Sequence, residues 1–498
     1  MANKQYAIGA IISYTAIAFN ILSGLLYTPW MVRTLGADQY ALYALAISII
    51  NIFLMDFGIG AAVTKFLSNY YAQGRYEEAD RFMGVVYKTF IAISCGVLII
   101  LTGVYFYLEE IYANLTPAEL STFKILFIIV ACYSVLSLPL TSFNGTLMAN
   151  ERFIELKACN LGQKVLIVLL IILFLLMGWG VYALVLAHAA TNLLFYSIKY
   201  WVIKRKTRQR VDWRVNDRTL VKQLFNFSAW VTVMGIAQRC IFNIMPTIIA
   251  AMLNTKAVAI FSIASILEGF VFTFADAING MFMPKVSRIL ANENESQLTQ
   301  LMIRVGRFHI FTLGAIYVGF ICLGNSFVDL WMGEDYALVY GCALFLIFPS
   351  LIEVPQQVAT VALLAKDIVQ AQALIYVAMG VANLVLSVIL IPILGITGAA
   401  LSICLAYLLK TAALNYLYKV ELKINLLQYF TSAYAQWVPI AVGVTLVAAY
   451  GVSLEPLNNW VTFIPASAAV AAVYVLVCWL FWFNSEEKGV LTSVLLRK

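Results

Sequence analysis

The chain has 498 residues, of which 63% are hydrophobic and only 11% charged, with a formal net charge of +7. A mean hydropathy of +0.89 leaves too little polar surface to cover a water-soluble particle of this size, which excludes a soluble enzyme or binding domain. The excess of Lys and Arg lies in the short segments between apolar blocks, where it reports membrane topology, so nucleic acid is not an expected partner.

The start, MANKQYAIGAIISYT, has one early Lys followed by a long hydrophobic run. No small-residue cleavage site follows a short apolar core, so a retained first span is expected in place of a signal peptide. About 20 residues of helix cross the roughly 30 Å hydrocarbon core. By that measure the blocks predict about fourteen transmembrane helices: 7–31, 40–62, 84–107, 123–145, 160–178, 180–203, 224–251, 257–281, 304–328, 337–363, 370–392, 397–418, 433–452 and 460–483. Joints as short as Gly178-Trp179-Gly180 and Leu394-Gly395-Ile396 make the helices on either side antiparallel neighbours.

Lys and Arg orient the chain. With the N-terminus inside, Lys65, Arg75, Arg81 and Lys88 share one cytoplasmic region, and Lys199 to Lys222 forms the densest basic cluster. Lys410, Lys419 and Lys423 fall on the same side, and the opposite side keeps Glu109, Glu110, Glu334 and Asp335. Both termini are therefore expected in the cytoplasm, which requires an even number of spans. The basic linker divides six spans from eight, giving an N-terminal six-helix lobe (1–206), a linker (207–223), a second six-helix lobe (224–420), and an added hairpin with a tail (421–498). The linker reads as a topology anchor or as a contact for anionic head groups.

The two lobes carry an internal repeat. Offsets of 216–220 residues bring Pro29 onto Pro246, Asp56 onto Asp276, Lys65 onto Lys285, Pro139 onto Pro355, and Gly178 onto Gly395. An offset spanning six helices preserves orientation. The expected fold is thus all-α, two parallel-repeat lobes about an axis along the membrane normal, with substrate handled between them.

Charges inside spans are costly and should face protein or water. Arg239 falls mid-way along the seventh span and Glu268 at a similar depth in the eighth, so a pair between them is possible. Such a pair either locks the two spans or lets Arg239 hold an anionic group that Glu268 tunes. Asn20, Asn51, Gln238 and Asn243 add neutral hydrogen-bonding groups to the first, second and seventh spans. Asp56 and Asp276 precede small-residue patches and read either as partners of Lys65 and Lys285 in an inward gate or as interfacial caps. Glu353, flanked by Pro349 and Pro355, is a candidate for coupling an ion or proton, because the prolines free backbone carbonyls there. His188 and His309 read as satisfied structural groups. The eight cysteines form no CxxC, so no metal or other cofactor is expected. No GxxxxGK[ST] loop, Ser/His/Asp arrangement or large soluble domain is present, which points away from an enzyme and from ATP hydrolysis.

The segments TLGADQYALYALAISI (Thr34–Ile49), LMDFGIGAAVTKFLSNYYAQGRYEEADR (Leu54–Arg81), FNGTLMANERF (Phe143–Phe153) and GITGAALS (Gly395–Ser402) carry a resemblance. The chain resembles the Wzx-type O-antigen and exopolysaccharide flippases of bacteria, within the superfamily that also holds multidrug exporters and the lipid II flippase. The resemblance implies translocation of an undecaprenyl-pyrophosphate-linked oligosaccharide between the leaflets of the inner membrane, by alternating access in a cationic cavity. It implies membrane lipids, a polysaccharide polymerase and chain-length machinery as partners. Carried over by position, Arg239 is the cavity cation, with Asn20, Asn51 and Gln238 near it. A cation-coupled multidrug antiporter of the same fold, using Asp56, Glu268, Asp276 or Glu353, and a non-transporting scaffold of polysaccharide assembly are the alternatives.

Overall fold

A computed structural model describes residues 2–53, 58–215, 217–276, 286, 289, 295–366, 368–454, 457–485 and 487–489. Every regular element among the described residues is helical. Apolar segments in hydrocarbon must satisfy their backbone groups internally, and a helix does this within one segment. Thirteen helical stretches among the described residues are long and apolar enough to cross a membrane. The expected second span corresponds to a helix whose described part ends at Phe53, after 17 residues. The chain is a multi-pass membrane protein.

Contacts divide it into two compact units. The first comprises Met1–Ser262 and Gln372–Gly395. It holds α1 (Ala2–Leu35), α2 (Ala37–Phe53), α3 (Ile59–Ala72), α4 (Tyr76–Phe106), α5 (Leu108–Ile111), α6 (Pro117–Ser137), α7 (Ser142–Ala149), α8 (Phe153–Leu176), α9 (Val181–Lys206), α10 (Arg218–Met252) and the start of α11 (Thr255–Asp276). The second comprises Ile263–Ala371 and Ile396–Lys498. Its helices are α12 (Glu295–Met332), α13 (Leu338–Ile347), α14 (Ser350–Glu353), α15 (Gln357–Ala365), α17 (Ile396–Glu421), α18 (Leu426–Ala433), α19 (Trp437–Leu454) and α20 (Trp460–Phe481), while most of α16 (Val369–Leu394) belongs to the first unit.

In unit one, α8 packs along α1 and α9, α2 packs on α6 and α10, and α3 on α7 and α4. The α3–α4 seam carries a core of Val63, Leu67, Phe82, Met83, Val86 and Phe90. The α8–α9 joint needs φ of +80° at Gly178 and +56° at Gly180, values glycine adopts without a Cβ penalty. Trp179 between them stacks on Phe174 with ring centroids 4.7 Å apart. In unit two, the long α12 packs against α19, α20, α13 and α18, and α13 packs on α17.

The two prolines related by the sequence repeat break their spans in the same way. Pro139 lies in a 3₁₀ turn (Leu138–Thr141) between α6 and α7, and Pro355 in another (Val354–Gln356) between α14 and α15. A proline removes one backbone donor and crowds the preceding turn, so the helix tightens and restarts. The freed backbone acceptors and the side chains beside them are where the interior polar groups collect.

Candidate functional site: polar groups within the two units

Unit one has a cationic interior. Lys199, on α9, is buried at 3% exposure, and its Nζ donates to Asn144 Oδ1 at 2.9 Å and Asn160 Oδ1 at 3.0 Å. Asn144 lies just past the Pro139 break. The ammonium also sits 5.6 Å from the centre of the Tyr196 ring. No carboxylate among the described residues takes part, so the charge is held by amide oxygens and a π-face. A second lysine, Lys164 on α8, is half-buried and has no hydrogen-bond or ion-pair partner among the described residues. It lies roughly 16 Å along the helix from Phe153. Neighbouring polar side chains bond one another: Gln163 donates to Asn192, Asn192 donates to the His188 carbonyl, and the Tyr43 hydroxyl and His188 Nε2 are 3.0 Å apart. The carboxylates on α4 and α8 lie near their starts, at Glu77, Glu78, Asp80 and Glu155.

Unit two is different. Lys410, on α17 and 1% exposed, pairs with Glu353 beside the Pro355 break and lies 4.3 Å from the centre of the Tyr407 ring. Glu268, half-buried on α11, is close enough to Glu353 for the two carboxyls to interact electrostatically. Tyr418 and Thr360 share a 2.8 Å hydrogen bond in the same region. Two carboxyls beside one buried ammonium can share or exchange a proton or a small cation.

Of the residues singled out in the sequence, Asn20 is half-buried on α1, while Asn51 on α2 and Gln238 on α10 are exposed. Arg239 belongs to α10 in unit one, with its side chain outside the described residues, and Glu268 lies in unit two. Lys65 is exposed on α3, 5.9 Å from the Phe66 ring centre. Asp56 and Lys285 lie outside the described residues, and Asp276 ends α11 with its side chain likewise outside them. Glu353 is paired with Lys410, a partner that the sequence reading did not give it. His309 Nδ1 lies 3.0 Å from the Val305 carbonyl, and His188 meets Tyr43, so both histidines have local partners.

The interior lysines are the residues that sequence reasoning misses. The charge pattern places Lys199 and Lys410 among the cytoplasmic cations, yet both are buried inside helices, and the orientation argument rests on the remaining loop cations. Lys164 escapes notice because it lies at the edge of the apolar run Val165–Leu176. The available signal is a lysine within a helix-long apolar context and without a loop residue beside it.

Known proteins share this architecture. Over 502 aligned residues the chain is 21% identical to an uncharacterized membrane protein, EpsK, of Bacillus subtilis (strain 168), covering 97% of each chain. Its structure is similar to that of the lipid II flippase MurJ in an inward closed conformation, with a TM-score of 0.71, 13% identity, and 95% and 99% of the two chains covered. It is also similar to an inward-facing multidrug resistance MATE family transporter of the MOP superfamily, with a TM-score of 0.68, 12% identity, and 83% and 98% covered. These structural likenesses establish the polytopic fold. Residues 30–340, more than half of the chain, match the family model described as polysaccharide biosynthesis protein, and the protein belongs to that family.

Proposed function

We propose that the protein flips an undecaprenyl-pyrophosphate-linked oligosaccharide, an O-antigen, capsule or exopolysaccharide repeat unit, from the cytoplasmic to the outer leaflet of the inner membrane. The observation that carries this reading is the half-buried Lys164 in unit one, which has no carboxylate among the described residues to neutralise it. A lysine at that depth is tolerated where it faces a watery cavity or meets an anion. A pyrophosphate group supplies that anion, and Arg239, Asn20, Asn51 and Gln238 are its proposed further contacts. In this reading the lobes 1–206 and 224–420 alternate access, joined by the linker 207–223, and 421–498 forms an added hairpin. Asp56 with Lys65 and Asp276 with Lys285 close the cytoplasmic mouth, and both termini lie in the cytoplasm.

Outward movement of an anionic head group is favoured by an inside-negative potential by about 2.3 kcal/mol per charge per 100 mV. No nucleotide is then required. Glu353, Lys410 and Glu268 add a group through which a proton or cation can bias the two states. Membrane lipids surround the protein, and a polysaccharide polymerase and chain-length machinery are its proposed functional neighbours.

The test is complementation of a deletion strain that makes surface polysaccharide. Lys164→Gln and Arg239→Gln are expected to lower polymer output by roughly ten-fold or more and to accumulate lipid-linked repeat units in the cytoplasmic leaflet. The carboxyl–lysine group of unit two favours one second reading, a cation-coupled multidrug antiporter. Altered drug sensitivity of the deletion strain, with normal polymer, would replace the first reading by the second.

A further inference from the structure

A large cleft in unit one is lined by neither Lys164 nor Lys199. It has a volume of about 1260 Å³ and opens where the segment after α9 crosses α4 and α7. Its rim is basic: Lys204, Arg208 and Arg210 all line it and all are exposed. Among the described residues no carboxylate forms an ion pair with these three. Nearby Glu155 is taken by Lys206 at 2.8 Å and by Arg152 at 3.8 Å. Arg208 lies 5.9 Å from the centre of the Tyr76 ring. Asp80, the carboxylate on the wall, accepts from the backbone N–H of Arg210 at 2.9 Å, and its carbonyl accepts from the N–H of Asp212 at 3.1 Å.

Those bonds fix the segment in place. Lys88 Nζ donates to the Val215 carbonyl at 2.6 Å further along. Gly84 lets the segment lie against α4, because a Cβ there would fall inside the Asp212 carbonyl group. The rim is thus a built edge of the cleft.

The walls are aromatic. Trp213 meets Tyr87 at 5.7 Å, and Phe143 meets Tyr200 at 5.9 Å and Tyr196 at 6.5 Å. Tyr200 and Trp213 keep more than half of their surface exposed. From Lys204 to Tyr196 the cleft descends roughly 12 Å along α9. A cationic rim over amphipathic rings, running from the aqueous end of a membrane helix into its apolar part, is graded for a ligand with a phosphate at one end and hydrocarbon at the other.

We infer that this cleft binds an anionic phospholipid of the leaflet on the linker side, its phosphate on Lys204, Arg208 and Arg210 and its acyl chains against Tyr196, Tyr200 and Phe143. The inference is independent of which solute the protein moves, and binding is read without transport.

The test uses the purified full-length protein in nanodiscs and in detergent. Native mass spectrometry with phosphatidylglycerol and phosphatidylethanolamine is expected to show preferential retention of the anionic lipid by on the order of ten-fold or more. The triple variant K204Q/R208Q/R210Q, all exposed positions, is expected to lose that preference while melting at the wild-type temperature. Brominated phosphatidylglycerol should quench a portion of the tryptophan emission that is missing in Trp213→Phe. Persistence of the preference in the triple variant, or equal quenching in Trp213→Phe, overturns the inference. So does binding of polyprenyl pyrophosphate but not phosphatidylglycerol, or full displacement of the lipid by millimolar inorganic phosphate.

Discussion

Two lysines illustrate how one residue type does opposite work in one chain. Lys410 is buried against Glu353, so its charge is matched. Removing the carboxylate alone takes the ion pair from a buried cation, and Glu353→Gln is expected to cost about 3–5 kcal/mol of stability. The double variant Glu353→Leu/Lys410→Met should recover most of that loss, as thermal melting in detergent would show. Lys164 has no such partner among the described residues, so Lys164→Met is expected to leave the melting temperature unchanged or raise it while abolishing transport, and Lys164→Arg to preserve transport. A stabilised but active Lys164→Met protein would remove Lys164 from the anion path. Sequence alone exposes Glu353, because two prolines bracket it. It does not show what Lys410 and Lys164 meet: both fall inside the predicted spans 397–418 and 160–178, but the Glu353 partner of the one and the lack of a described partner for the other are seen only in the folded chain.

Helix ends and breaks carry their own predictions. Asp217 caps α10, accepting from the hydroxyl of Thr219 at 2.5 Å and from the backbone N–H groups of Thr219 and Leu220. These bonds, the Thr219 hydroxyl first, hold its carboxyl below the usual value of 3.8. The cap is therefore fully formed above that value and is lost as the pH falls through the lower folded value. The protection factors of the amides in the first turn of α10, each taken relative to the intrinsic exchange rate at the same pH, should fall on acidification in the wild type, and Asp217→Asn, which keeps an acceptor that does not titrate, should flatten the dependence. At the α8–α9 joint, Gly178→Ala forces a left-handed residue with a Cβ and is expected to cost about 1–2 kcal/mol in thermal melting. The glycine pair and the apolar runs are legible in the sequence itself, each with one local physical meaning. The prolines are less so: Pro139 and Pro355 interrupt their helices, whereas Pro29, Pro246, Pro392 and Pro465 lie inside continuous ones. Which polar partners gather at each break is not legible there, since Asn144 and Glu353 are brought to their lysines by helices far along the chain.

At the scale of the molecule, the all-helical membrane fold is written in the apolar blocks, and the family in the first-half segments, which fall largely within the matched residues 30–340. The proposed topology predicts that cysteines introduced between Lys204 and Lys222 react with a membrane-impermeant thiol reagent in inside-out vesicles and not in intact spheroplasts; the reverse pattern would invert the chain. The α8–α9 pair has a consequence for how the protein is made. Beyond Lys164, α8 is apolar from Val165 to Leu176, whereas α9 carries His188, Thr191, Asn192, Ser197 and Lys199. These polar side chains make α9 enter lipid less readily than α8, with a mean hydropathy of 1.5 against 2.4. The two-glycine joint delivers it beside α8, where Gln163 and Asn160 already offer Asn192 and Lys199 their partners. During biosynthesis the two helices should therefore leave the translocon together, with α8 serving as an intramolecular chaperone for α9. A reporter fused after α9 should be inserted efficiently behind α8–α9 and poorly behind α9 alone.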